Sequence, residues 1–287
     1  MDRPGSRKDF QVRNQQPHCF RATRARPRPE SSAKKAVVNR LADVRESPLR
    51  ISVVIPSWRD AENLQSLVPG LAAQERVAET IVVDASGDEK AERIALASGA
   101  TFLACPTPNR GEQMNLGAAA SSGDVILFQH CDTLLEDAHL EAIEIALADP
   151  KVVGGAFFRK FDGRHPRLMW LESVARFLTR RGGTLYGDQS IFVRREMFQR
   201  LGGFAKIPLM EDVEFSRRLR AAGKIAVLDP PVASSGRRHL RKGAWRTTIQ
   251  NGLFIVLYNL GVSPHRLHRW YYGRAATSAA REKALSS

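Results

Sequence analysis

Two short strings stand where carboxylates could do work. In Gln129-His-Cys-Asp-Thr133, His130 and Asp132 directly follow the apolar run of residues 125–128. A carboxylate at a strand end can hold Mg²⁺ or Mn²⁺, hard cations that prefer oxygen and complete their shell with substrate phosphates. An imidazole is a borderline ligand for Mn²⁺; a partly buried, hydrogen-bonded histidine is the other reading of His130. In Pro208-Leu-Met-Glu-Asp-Val-Glu-Phe215, Glu211 and Asp212 open a helix behind Gly202-Gly-Phe204. Such a loop can present a carboxylate as general base toward a hydroxyl. Acidic residues in a first turn also answer to the helix dipole alone.

Three further stretches suit a nucleotide. In Pro108-Asn-Arg-Gly, Arg110 opens a helix. A guanidinium beside free helix N–H groups is placed for a diphosphate, or is simply a surface arginine. Asp84 ends a second apolar run, where a carboxylate can accept from a ribose or base edge; a helix N-cap is the alternative. Ser234–Arg246 holds five cationic side chains, Arg237, Arg238 and Arg241 among them. It reads as a solvated basic face or as a flap that neutralises departing phosphate. The loop Pro56–Asn63, with Pro56, Ser57 and Arg59, has no glycine. A Rossmann fingerprint or a P-loop would need one there.

The elements that position these residues follow from periodicity. Ile51–Pro56, Thr80–Asp84, Thr101–Cys105 and Asp124–Gln129 are short β-branched or apolar runs. They alternate with helical patterns at 60–73, about 88–98 and about 110–121. Such alternation predicts an α/β fold with a mostly parallel sheet and right-handed crossovers. Open α/β sheets bind ligands at the carboxyl ends of their strands, where the residues above fall. In the second half, strands are expected at 152–158, 189–194 and 224–229, the last closed by Pro230-Pro231. Helices are expected at 166–180, 212–222 and 245–260. The last carries Ile249, Leu253, Val256, Leu257 and Leu260 on one face. It is expected to cover the domain, with a position on a membrane surface as the alternative.

Taken in order, these strings carry a resemblance. Ile51-Ser-Val-Val-Ile-Pro56, Ile81-Val-Val-Asp84, Arg110-Gly-x-x-x-Asn115, Asp124-Val-Ile-x-Phe-x-x-x-Asp132 and Gly202-Gly-Phe…Glu211-Asp212 resemble the family 2 inverting glycosyltransferases of GT-A fold over roughly residues 50–240. Arg110-Gly-Glu-Gln-Met-Asn115, His130-Cys-Asp-Thr133, Gly187-Asp-Gln189 and Leu209-Met-Glu-Asp-Val-Glu214 are similar to a bacterial subgroup associated with radical-SAM/selenium-domain proteins.

The resemblance implies a nucleotide-diphosphate sugar held by Pro56–Arg59 and Asp84, with Arg110, Asn115 and His130 nearby. It implies Mg²⁺ or Mn²⁺ on Asp132, the last carboxylate of a DxD motif whose first position is His130. It implies Asp212, with Glu211, as catalytic base, Asp188 and Gln189 on the acceptor side, and Arg237, Arg238 and Arg241 as phosphate-neutralising groups. The Gln-x-x-Arg-Trp motif of processive members is absent, so a non-processive transferase is expected, acting on a small-molecule or lipid-linked hydroxyl acceptor.

Composition bounds the rest. The 287 residues are 43% hydrophobic and carry a net charge of +14. Residues 1–50 hold 13 Lys and Arg against 5 Asp and Glu, so more than half of the excess sits in the first sixth of the chain, and a basic leader, 1–48, is expected to be disordered. The domain is expected over 49–240, a helical extension over 241–272 and a flexible tail over 273–287. No apolar run approaches the ~20 residues of a membrane span, and three cysteines without a CxxC pair argue against a disulfide framework. A cytoplasmic enzyme, free or peripheral to a membrane, is expected. Two other readings are a sugar-phosphate nucleotidyltransferase, which lacks its Gly-rich first loop here, and a non-enzymatic basic protein binding nucleotides or anions. Only Phe10 and Phe20 interrupt the leader's charge, too few aromatics for a nucleic-acid stacking surface.

Overall fold

The computed structural model describes residues 49–161, 173, 176, 177, 179–234 and 244–273. The expectations for 1–48, for most of 166–180, for Arg237, Arg238 and Arg241, and for the tail beyond 273 lie outside these residues.

Eight strands form one sheet: β1 (Ile51–Ser57), β2 (Val77–Asp84), β3 (Thr101–Ala104), β4 (Val125–Phe128), β5 (Thr133–Leu134), β6 (Val152–Phe161), β7 (Ile191–Arg194) and β8 (Lys224–Ser234). Their order is β3-β2-β1-β4-β7-β6-β8-β5. The first four are parallel, joined by α1 (Ala61–Ala72), α2 (Glu89–Ala97) and α3 (Arg110–Ala120). β1 and β4 are buried along almost their whole length, which is why they read as continuous apolar runs and not as alternating ones. α1 buries Leu64, Leu67, Val68 and Leu71, the face its spacing predicts.

The chain steps outward from β1 to β3, then returns to place β4 on the other side of β1. That reversal opens a crevice beyond the carboxyl ends of β1 and β4, the usual ligand position in such sheets. Past β4 the sheet turns mixed. β7 is antiparallel to β4 and β6, β8 is parallel to β6, and β5 is antiparallel to β8.

The second half departs from expectation in several places. β8 does not stop at Asp229 but runs through Pro230-Pro231 to Ser234. Its register against β6 shifts between Phe157 and Arg159, so Leu228 and Val232 are paired while residues 229–231 are skipped. A proline has no N–H to give a ladder, and the irregularity asks for none. α4 (Asp137–Leu147) and the two-residue β5 add to the expected elements. So does α8 (Pro264–Tyr272), which follows α7 (Ala244–Asn259).

α7 covers the domain through a face centred on Phe254, with Ile255, Leu257 and Tyr258 packed beside it. Phe254 and Leu267 of α8 are buried with Met210 and Val213. Leu253, Val256 and Leu260, expected inside, are 53%, 54% and 75% exposed. The apolar period was real, but most of the stripe turns outward.

Candidate active site

The site begins with a loop that is tied down twice. Between α5 (Arg195–Arg200) and α6 (Glu211–Ala222), Phe204 inserts its ring among Phe128, Phe198 and Phe215, with centroids 4.9, 5.7 and 4.4 Å away. Its backbone is held by one side chain of α3. Asn115 accepts from the Phe204 N–H at 2.8 Å and donates to the Phe204 carbonyl at 2.9 Å. Gly203 beside it has φ +72°, and a Cβ there would lie 2.5 Å from Asn115 Oδ1, so only glycine fits. Gly111 of α3 is equally constrained, since its Cβ would meet the Ala205 carbonyl at 2.7 Å. Asn109, the N-cap of α3, accepts from the Glu112 N–H and donates to the Ile207 carbonyl at 3.2 Å.

These stitches bring the N-termini of α3 and α6 together. An Arg110 guanidinium nitrogen lies 3.6 Å from Glu211 Oε1, with Glu211 buried and Arg110 half exposed. Burial works against the charge on Arg110, but Glu211, Asp212, Tyr272 and Asp188 outweigh it and raise its pKa. Asn115→Leu would leave the Phe204 N–H and carbonyl unpartnered near the core. It is expected to cost about 2–4 kcal/mol, read as a lowered melting midpoint, and to loosen Arg110 against Glu211.

Asp212 is half buried at the start of α6. Its carboxylate accepts from the Gly187 N–H at 3.0 Å and from the Val213 N–H at 2.7 Å. Burial, and next the Glu211 charge, push its pKa up to about 6, against the pull of the Gly187 N–H and of Arg110. Such a value suits a group that must take a proton near neutral pH. Gly187 starts a short 3₁₀ turn, Gly187–Gln189. A Cβ on it would lie 2.6 Å from His130 Nε2 and 3.8 Å from Asp212 Oδ2. His130, Gly187 and Asp212 therefore share one spot.

The same turn is tied to the end of β4. Ser190, at φ 53°, donates to the buried Gln129 Oε1 at 2.7 Å, and Gln129 donates onward to the Thr133 carbonyl. This shapes the turn carrying His130, Cys131 and Asp132. Asp132 is exposed. Cys131 is buried, and burial with Asp60 and Asp132 raises its thiol pKa well above the ordinary range, so it is neutral and inert.

Other expected residues are placed as follows. Asp84 is buried and spends its carboxylate on its own loop, accepting from the Ser86 N–H at 2.8 Å, the Gly87 N–H at 2.9 Å and the Ser86 hydroxyl. It is not the cap of α2; Asp88 is, accepting from the Lys90 N–H. Ser57 is buried and Pro56 half buried, while Arg59, at φ 56°, is exposed with its guanidinium 4.9 Å from the Trp58 ring centroid. Asp188 forms an ion pair with Arg159 of β6. Gln189 turns inward, accepting from the Tyr186 N–H at 2.9 Å. Asn115 is joined to the site through Phe204.

The sequence model of the family described as glycosyl transferase family 2 matches residues 52–202, more than half of the chain. The chain belongs to that family. Among curated proteins no relative matches this glycosyltransferase. Its fold is that of GT-A glycosyltransferases among solved structures. The mannosyltransferase PcManGT from Pyrobaculum calidifontis, in complex with GDP-Man and Mn²⁺, has TM-score 0.57 and 16% identity, covering 89% of this chain and 84% of that one. S. aureus TarS 1–349 with UDP-GlcNAc has TM-score 0.53 and 18% identity, over 65% and 58% of the two chains. Glucosyl-3-phosphoglycerate synthase from Mycobacterium tuberculosis, with Mn²⁺, UDP-Glc and phosphoglyceric acid, has TM-score 0.50 and 23% identity, over 65% and 72%. No helix among the described residues is long and apolar enough to cross a membrane.

Several residues that shape this glycosyltransferase's site carried no signal of their own in the sequence. Gln113, buried in α3, donates to the carbonyls of Ser57 at 2.7 Å and Val83 at 2.8 Å, clamping the carboxyl ends of β1 and β2. It stands inside Arg110-Gly-Glu-Gln-Met-Asn115, and that string was the available clue. Arg159 lies at the end of an expected strand. Tyr186 immediately precedes Gly187; burial, then Asp212 and Asp188, raise its pKa. Tyr272 of α8 acts electrostatically on Arg110.

A divalent ion fits the donor set in one way. Among the described residues, no group of three or more His, Cys, Asp or Glu side chains is gathered for a metal. Asp132 is an exposed carboxylate whose protein contact is the Thr133 hydroxyl at 3.5 Å. One carboxylate beside His130 suits an ion that takes its remaining ligands from substrate phosphates and water.

Proposed function

We propose that this glycosyltransferase moves a sugar from a nucleotide-diphosphate donor to a hydroxyl acceptor with inversion, one transfer per encounter. The observation that carries this is Asp212, a carboxylate held near neutral pKa by burial and Glu211 while its geometry is fixed by the Gly187 N–H. It stands by the crevice beyond β1 and β4.

In this reading the donor's base and ribose lie along Pro56–Arg59 and Asp84, and its diphosphate faces Arg110 and the His130–Asp132 turn. Asp132, with His130 beside it, would hold Mg²⁺ or Mn²⁺, which supplies charge neutralisation to the diphosphate. Asp212 takes the proton of the acceptor hydroxyl as its oxygen attacks the anomeric carbon from the face opposite the leaving group. The C–O bond to the nucleoside diphosphate breaks as the new one forms. Arg110 faces the charge that develops on the leaving group. Arg237, Arg238 and Arg241 are assigned to the same neutralisation, and Asp188 and Gln189 to the acceptor side. The mannosyltransferase and the phosphoglycerate synthase carry nucleotide sugars with Mn²⁺, which supports this donor and metal class. The motif strings support membership of the radical-SAM-associated subgroup.

The test is a melting panel of the full chain against UDP-, GDP- and dTDP-sugars, with and without Mn²⁺ or Mg²⁺. A ligand bound only by the folded state stabilises by about 2.7 kcal/mol at a hundred times its Kd. A metal-dependent rise with one nucleotide class is expected. No rise with any donor in either metal overturns the reading.

A further inference from the structure

We infer that the helical pair α7–α8 is a docking surface for an anionic lipid bilayer. Its inner side is spoken for: Phe254 and Leu267 are buried with Met210 and Val213. Its outer side carries an exposed apolar stripe. Leu253, Val256 and Leu260 fall on one face of α7 by helical spacing, at 53%, 54% and 75% exposure. On α8, Trp270 is 59% exposed, and Arg266 and Arg269 are exposed beside it.

Charge identifies the occupant. From Ala244 to Tyr272 the sequence has three Arg, Arg246, Arg266 and Arg269, and no Asp or Glu. An exposed apolar stripe, a tryptophan and cations without counter-charges match an interfacial helix. Its apolar side chains enter the acyl boundary, its indole sits at headgroup level and its cations meet anionic lipids. A second copy of the chain would bring the same positive charge against itself. A nucleic acid would gain nothing from the leucine and valine stripe.

The inference does not depend on the transferase reading, because docking is read without turnover. The full chain is co-sedimented with vesicles of phosphatidylcholine alone and of phosphatidylcholine with phosphatidylglycerol. Strong partition into the anionic vesicles is expected. A triple variant, Leu253→Gln with Val256→Gln and Leu260→Gln, is expected to lower that partition by about tenfold or more. A second variant, Arg266→Gln with Arg269→Gln, is expected to lower it on anionic vesicles and leave phosphatidylcholine binding unchanged. Both change exposed side chains, and an unaltered melting midpoint checks the fold. The basic leader is common to all three proteins, so the differences report α7–α8. The inference is overturned if the parent chain ignores anionic vesicles, or if both variants partition as the parent does. It is equally overturned if the triple variant changes sedimentation from dimer to monomer with vesicle binding intact, which would make a second copy the occupant.

Discussion

Asp212→Asn is expected to lower transfer by about 10²–10⁴-fold, the usual contribution of a positioned general base, with donor binding nearly unchanged. The asparagine keeps an oxygen for the Gly187 N–H, which bonds Asp212 at 3.0 Å, and gives up the bond from the Val213 N–H, so the main change is the loss of the base. In the parent enzyme the rate is expected to rise with pH through about 6, where the Asp212 carboxyl ionises, and then to level off. The variant's residual rate should lack that rising limb.

The same group makes a second, opposite prediction for stability. Its folded pKa of about 6 lies above the ordinary 3.8. The folded state therefore holds this proton more tightly than the unfolded chain does. The resulting stabilisation is complete below about pH 4 and is lost as pH rises through about 6. Above that, the ionised carboxylate is a cost that asparagine removes. Asp212→Asn is expected to melt higher than the parent at pH 8, by about 1–3 kcal/mol, and to show no gain at pH 4. Slower and more stable together would be the signature of a carboxylate strained for use. Undiminished turnover would remove Asp212 from the chemistry.

Asp132→Ala is the other large effect. Calorimetric titration of the nucleoside diphosphate is expected to show parent and variant alike without metal. With Mn²⁺ present the variant should bind about 10²-fold or more weakly, since removing one partner of a charged contact costs several kcal/mol. Asp132 is exposed and lightly bonded, so the fold should not feel the loss. An unchanged Mn²⁺ dependence would place the ion elsewhere.

The parts of the fold legible in the sequence are those whose burial is total. β1 and β4 are apolar on both faces because strands and helices cover both, and α1 shows its inner face at helical spacing. The meeting of Arg110 with Glu211, and of His130 with Gly187 and Asp212, also follows from topology, since these residues stand at strand or helix ends. What stayed hidden depends on partners rather than on residue types. Asn115 and Gln113 are amides whose letters do not say that both bond backbone from distant strands and loops. β8 crosses two prolines because a register shift skips them, and no local rule reports a neighbour's register. α8 is rich in Arg, His and aromatics, so its apolar period is thin and Leu267 alone is buried. The stripe on α7 announces an apolar face without saying which way it looks.

The family match ends at residue 202, short of Glu211, yet the far side of the site hangs on the near side through two amides, Asn109 and Asn115. Asn115 holds Phe204 from both directions, so α3 and the segment leading to α6 move as one bracket. A shift of α3 would then carry Arg110 and Glu211, 3.6 Å apart, together. The Gly187–Gln189 turn is tied to the same bracket: its first N–H bonds Asp212, and Ser190 after it bonds Gln129. Opening for an acceptor would thus have to break the Gly187–Asp212 bond or carry the turn and the carboxylate together.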